Sequence, residues 1–97
     1  MRSVANVAKI GKYSLKVINS LVHGGPYVAV HVGKKRVAWV SFKTRKHKSY
    51  DNADKKDLEN IEDIDVWFES NSNYNLAATK WNSFKNGVNV SLFGEDV

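Results

Sequence analysis

Seven cationic side chains fall within fifteen residues: Lys34, Lys35, Arg36, Lys43, Arg45, Lys46 and Lys48. Tyr27, Trp39, Phe42 and Tyr50 are interleaved with them. Lysine and arginine neutralise phosphates, and aromatic faces stack on bases, so the combination points to nucleic-acid binding. One or two charges are enough to keep an edge strand from aggregating; seven exceed that need. The aromatics alone read more simply as core.

The other reactive residue types form no recognisable centre. Asp51, Asp54, Asp57, Glu59, Glu62, Asp63 and Asp65 make an acidic run, but a calcium loop started at Asp51 puts Ala53 and Lys55 where oxygen ligands belong. Asp51, Asp54 and Lys56 suggest a nuclease-like set that no strand would hold in place. His23, His31 and His47 are scattered and read as structural or solvated. There is no nucleophile elbow, zinc-protease motif or phosphate loop. Gly24-Gly25 could form an anion nest, although helix capping explains the pair more simply. The expectation is a non-enzymatic chain with no catalytic residues, no metal and no cofactor.

Charge is sharply segregated. Residues 1–50 hold eleven Lys or Arg and no acid, whereas residues 51–97 hold ten acids and four Lys. Such asymmetry suits either polyanion binding or two halves that neutralise each other across the surface. Cysteine is absent, which excludes disulfides and thiolate metal sites. With no apolar run near the ~20 residues of a membrane span, and with Asn6, Lys9 and Lys12 interrupting any signal segment, a cytoplasmic protein is expected.

The elements that must carry these residues follow from periodicity. In Tyr27 to Lys48, Val28, Val30 and Val32 alternate with Ala29 and His31, and Gly33-Lys34 suits a two-residue II′ turn. That turn pairs Val30 with Val37 and Val28 with Trp39, placing Trp39 on the valine face. A three-residue loop through Lys35 would turn Trp39 to the opposite side. Upstream, the spacing of Val4, Ala8, Gly11, Leu15, Ile18 and Val22, with the stop His23-Gly24-Gly25-Pro26, predicts a helix from about Ser14 to His23. The competing pattern is the strand-like alternation Tyr13-Ser14-Leu15-Lys16-Val17. Downstream, Asp54 would cap a short helix bearing Leu58 and Ile61. Ile64, Val66 and Phe68 then read as a strand that projects Asp65, Trp67 and Glu69 together as a protein-contact set. Ser70–Asn73 reads as a turn, Tyr74–Lys85 as a helix ended by Asn86-Gly87, and Val88, Val90 and Leu92 as a last strand. The expected fold is one α+β domain over residues 1–97, with helices on about four mainly antiparallel strands in the order α-β-β-(short α)-β-α-β.

Tyr74-Asn75-Leu76-Ala77-Ala78-Thr79-Lys80 is similar to a Tyr-x-x-Ala-Ala run in the helix of apetala-type DNA-binding domains, where a three-stranded basic sheet precedes the helix. The similarity covers seven residues, and the acidic segment between hairpin and helix departs from that family's spacing, so no family is assigned.

Two functions from different classes follow. The first is a small binding module that engages nucleic acid or a nucleoprotein through Lys34–Lys48 by phosphate neutralisation, with little sequence readout because Lys outnumbers Arg twelve to three. The alternative is a protein-binding inhibitor of a host enzyme. The Lys- and Asn-rich composition is usual in phages of AT-rich hosts, whose short proteins often act so, a CRISPR-effector inhibitor being one case.

Overall fold

A computed structural model describes residues 4–18, 25–84 and 89–92. Its sheet has five antiparallel strands in sequential order: β1 Val4–Ile10, β2 Tyr13–Ile18, β3 Tyr27–Val32, β4 Lys35–Ser41 and β5 His47–Ser49. Two helices follow, α1 Glu62–Phe68 and α2 Asn71–Asn82. The fold is therefore α+β, as the sequence suggests, but with five strands and with both helices at the C-terminal end.

The largest correction lies in residues 4–18. No helix forms there; β1 and β2 make a hairpin in which Ile10 pairs with Tyr13 across Gly11-Lys12. Apolar residues four apart share a face in a strand as well as in a helix, so that spacing alone could not separate the two. Gly11 sits at φ +57, the conformation the first residue of a II′ turn requires. The β3–β4 hairpin repeats this solution, with Gly33 at φ +62 and Val32 paired with Lys35. The remainder of the expected N-terminal helix, 19–23, lies outside the described residues.

The two-residue turn at Gly33-Lys34 stands, but the register expected from it does not. His31 pairs with Arg36, yet Val30 pairs with Ala38 and Ala29 with Trp39. Val37 is an extra residue, a bulge that slips all pairs beyond it by one. Trp39 consequently leaves the face that carries Val28 and Val30.

Residues 55–61 form turns in place of the expected short helix, and 64–68 form a helix in place of a strand. Ile61, Ile64 and Phe68 are buried at i, i+3 and i+7, whereas Val66 is 61% exposed. That is helical spacing. Glu62, Asp63 and Asp65 occupy the first turn, where the helix dipole favours acids. Helix α2 begins earlier than expected because Ser70 caps it, its hydroxyl accepting the Asn73 N–H at 3.3 Å. The expected last strand is not part of the sheet in its described residues 89–92; Val88 and the Asn86-Gly87 cap lie outside them. Val90 is instead tied to α2 by the Asn82 amide, which donates to its carbonyl (2.9 Å) and accepts its N–H (2.7 Å).

Cross-strand partners share a face, so the register sorts the sheet into two sides. Leu15–Val30–Ala38 and Val28–Val40 are fully buried and belong to one core with Ile64, Phe68, Ala77, Ala78 and Trp81. Phe42, just past β4, gathers the rings of Phe68, Tyr74 and Trp81, with centroids 6.5, 5.4 and 6.4 Å away. The opposite face carries Ser14–His31–Arg36 and Lys16–Ala29–Trp39–Lys48, most of them half-buried or exposed.

Both turn glycines have open space around an added Cβ, so only their backbone conformation constrains them. Gly11→Ala and Gly33→Ala should each destabilise by about 1–2 kcal/mol. Gly25→Ala, at a position with open space and no positive φ, should be neutral or stabilise by up to about 1 kcal/mol. Urea melts of the three variants check this ordering.

Candidate nucleic-acid interface

The seven expected cations take up different roles. Lys34 is exposed at the β3–β4 turn, while Lys43 and Lys46 are exposed around the β4–β5 turn at the other end of β4. Some 30 Å of extended chain separates Lys34 from Lys43, at about 3.3 Å per residue. The continuous basic stretch in sequence is thus divided between two ends of the sheet. Lys48 is exposed on β5 beside Trp39.

Lys35 faces the acidic side. Its Nζ donates to Asp57 Oδ2 at 2.6 Å. That bond, followed by the Asp54 N–H, holds the Asp57 carboxyl below the ordinary carboxylate value. Lys12, at the first hairpin tip, bonds the Lys56 carbonyl and lies 3.9 Å from Glu59. The Tyr13 hydroxyl is 2.8 and 2.6 Å from the carbonyl oxygens of Asp57 and Glu59. Burial, then the acids Glu62, Glu59, Asp57 and Asp63, raise the Tyr13 pKa, so it remains a donor. Lys12 in the first turn, and Tyr13 and Lys35 just past the two turns, therefore hold the segment 54–59.

Arg45 is a staple. Its guanidinium donates to the Phe68 carbonyl (3.2 Å) and to Asn71 Oδ1 (3.1 Å), and lies 4.2 Å from the Tyr74 ring centroid. It thereby satisfies a carbonyl at the end of α1 and joins that end to α2. The backbone pays for this reach, with Arg45 at φ +60. Next to it, Asp65 accepts the His47 backbone N–H at 2.8 Å and lies 2.9 Å from His47 Nδ1.

The expected contact set Asp65, Trp67 and Glu69 is not brought to one side. Two helical residues are about 200° apart, so Trp67 points away from the other two. Trp67 is half-buried against the core, with its ring 4.9 Å from Phe68; Glu69 is exposed at the C-cap.

What the sequence did not reveal is the grouping on the second sheet face. Trp39 and Tyr50, both half-buried, lie with ring centroids 5.0 Å apart at 42°. Arg36 Nη1 is 3.4 Å from the Tyr50 hydroxyl, and its guanidinium is 5.9 Å from the Tyr27 ring centroid. Arg36, Tyr50 and Asn52 line an open depression of about 280 Å³. Lys48 and Lys16 lie in the cross-strand row of Trp39, on β5 and β2. His31, paired with Ser14 and Arg36, has a buried Nδ1 without a hydrogen-bond partner. Alternation in Tyr13–Val17 placed Lys16 opposite the core; the bulge that brings Arg36 and Trp39 to its side has no sequence signature.

Among the described residues, Lys9, Lys16, Lys34, Lys43, Lys46 and Lys48 have no carboxylate within ion-pair distance. Among the described residues no cluster of three His, Asp or Glu could hold a metal, and no helix is long and apolar enough to cross a membrane. No protein-family model, curated protein or solved structure matches the chain significantly.

Arg45→Ala should destabilise by about 1.5–3 kcal/mol, the range for hydrogen bonds to a charged group, and Lys should not restore the loss because it lacks the planar fork. Lys43→Ala and Lys46→Ala should stay within about 0.5 kcal/mol of the parent. Denaturant melts of the four variants test the distinction.

Burial lowers the His31 pKa, and the Lys16 and Arg36 charges lower it further. The unfolded chain therefore binds this proton more readily than the folded one. His31's contribution is complete above its unfolded pKa of about 6.5 and is lost as pH falls toward the depressed folded value. Between pH 7 and 5, the parent should lose stability more steeply than His31→Gln. Parallel slopes in urea melts at the two pH values would place His31 in water.

Proposed function

We propose that this chain is a small, non-enzymatic binding module for nucleic acid, alone or within a nucleoprotein. The observation that carries the reading is that, among the described residues, Lys9, Lys16, Lys34, Lys43, Lys46 and Lys48 of the basic half have no carboxylate partner. Had the two halves simply neutralised each other, these lysines would be paired. The acidic segment instead engages Lys12, Lys35 and His47.

Lysine gives phosphate contacts that position a ligand without reading its sequence. Arg36 and Arg45, the two arginines within the described residues, are both engaged internally. Binding should accordingly be sequence-tolerant and strongly dependent on salt.

The inhibitor reading draws on the opposite side. Glu62, Asp63, Val66 and Glu69 are all exposed at helical spacing, an acidic stripe with an apolar residue in it. It would fit a basic protein surface, but Asp65 and Trp67, both expected to contribute, are taken up by His47 and the core.

If about five lysines contact phosphates, affinity for duplex DNA should fall with salt at a log–log slope of roughly −4 to −5, or about −3.5 for a single strand. Replacing Lys43, Lys46 and Lys48 together with Ala should reduce the magnitude of that slope by about two to three and weaken all sequences alike. Fluorescence anisotropy across a salt series measures both quantities. A wild type that binds neither form at low salt, and instead pulls down one basic protein, would favour the inhibitor.

A further inference from the structure

We infer that segment 54–59 is an internal competitor of the nucleic acid, withholding Lys12 and Lys35 from phosphate by occupying them itself. This rests on the nucleic-acid reading above and adds a second cationic surface, at the hairpin tips, together with the device that restrains it. The cross-strand row Ile10–Tyr13–Val32–Lys35 closes one end of the sheet from β1 to β4. Adjacent strands are about 4.8 Å apart, so the row spans roughly 15 Å. Lys9, Lys12, Lys34 and Lys35 are gathered at this end, each within two residues of a turn glycine. Lys9 and Lys34 are exposed and, among the described residues, have no carboxylate partner. Lys12 and Lys35 are the two that segment 54–59 holds.

Those two are engaged where a phosphate would otherwise meet them. Lys35 Nζ donates to Asp57 Oδ2 at 2.6 Å, and the same oxygen accepts the Asp54 N–H at 3.2 Å, which fixes the carboxylate in place. The Lys35–Asp57 hydrogen bond raises the lysine pKa and lowers that of the acid, so both stay charged. Lys12 donates to the Lys56 carbonyl and lies 3.9 Å from Glu59 Oε1. These charged contacts are not what fastens the segment. The Tyr13 hydroxyl reaches the Asp57 and Glu59 carbonyls, and Ala53, Leu58 and Ile61 belong to the apolar packing. An exposed ion pair adds little stability to such an attachment. Nor is the effect a general repulsion of anions, because residues 54–59 hold three acids and two lysines. It is specific to the lysines the segment touches. A carboxylate and a phosphate oxygen compete for the same ammonium. A lysine kept on its carboxylate neutralises no phosphate and adds nothing to the counterion release that drives binding.

The test uses the whole chain and a labelled DNA duplex, followed by fluorescence anisotropy across a salt series. Asp57→Asn should release Lys35, steepen the log–log slope by about 0.9 and raise affinity roughly 5- to 10-fold near about 0.1 M salt. Asp51→Asn removes the same charge from an exposed turn that holds no lysine, and should leave the slope at the wild-type value. Adding Lys35→Gln to Asp57→Asn should take the gain back. Should Asp57→Asn fail to fold, two single variants carry the test. Lys34→Gln should then reduce the slope by about 0.9, and Lys35→Gln by less than half of that. Equal slopes for Asp57→Asn and Asp51→Asn, or equal effects of the two lysine variants, overturn the inference and leave the nucleic-acid reading intact. Absence of binding by every one of these proteins at low salt overturns both.

Discussion

One extra residue in β4 determines which side chains can act together. In an unbulged hairpin Val30 would face Val37, and Trp39 would join Val28 on the buried side. With Val37 inserted, His31 still pairs with Arg36 while Ala29 pairs with Trp39. Arg36 and Trp39 are three residues apart, so a regular strand would place them on opposite faces. The bulge puts them on the same one. It also leaves Lys35 on the helix side, in reach of Asp57. Val37 and Ala38 are both fully buried as a result, two consecutive residues that alternation alone could not bury together. Without the bulge the arginine and the aromatic pair would be on different sides of the sheet.

The charge asymmetry of the chain becomes an asymmetry of the folded molecule, with a defined seam. The two hairpin tips are built alike, each a Gly-Lys turn, and each contributes to holding segment 54–59. Because the meander brings β1–β2 and β3–β4 tips to the same end of the sheet, one acidic loop can engage both. At the other end Arg45 and His47 secure α1, through Phe68 and Asp65. These contacts are made to backbone carbonyls as much as to carboxylates, so they fix the acidic half in place without consuming the basic half. The surplus positive charge is left on the second face and at the turns.

Much of this was legible from residue pattern. The β3–β4 hairpin, its two-residue turn, the α2 helix and the mixed α+β class follow from alternation and turn chemistry. The failures have specific causes. For β1–β2, spacings of three and four in Val4 to Ile18 satisfied a helix, although Gly11-Lys12 repeated the Gly33-Lys34 turn and Tyr13–Val17 alternated. For α1, the choice of Ile64, Val66 and Phe68 hid the better helical set Ile61, Ile64 and Phe68, supported by acids in the first turn. The Val37 bulge and the reach of Arg45 across 23 residues to Phe68 are tertiary outcomes. No local preference encodes them. For the candidate site, the sequence grouped the cations by proximity in the chain, whereas the sheet groups residues by register.

The division between arginine and lysine bears on what this surface can recognise. Arg45 is held by two hydrogen bonds and a ring, and Arg36 is placed by Tyr50 and Tyr27. Both have the fixed, planar geometry that directional contacts require. Of the two, Arg36 lies on the sheet face that carries Trp39 and Lys48. Lys16 and Lys48 share its face, Lys34, Lys43 and Lys46 stand at the two ends of the sheet, and lysine offers a point charge without a planar fork. On the nucleic-acid reading proposed above, such cations would meet phosphates and would have few means of distinguishing bases.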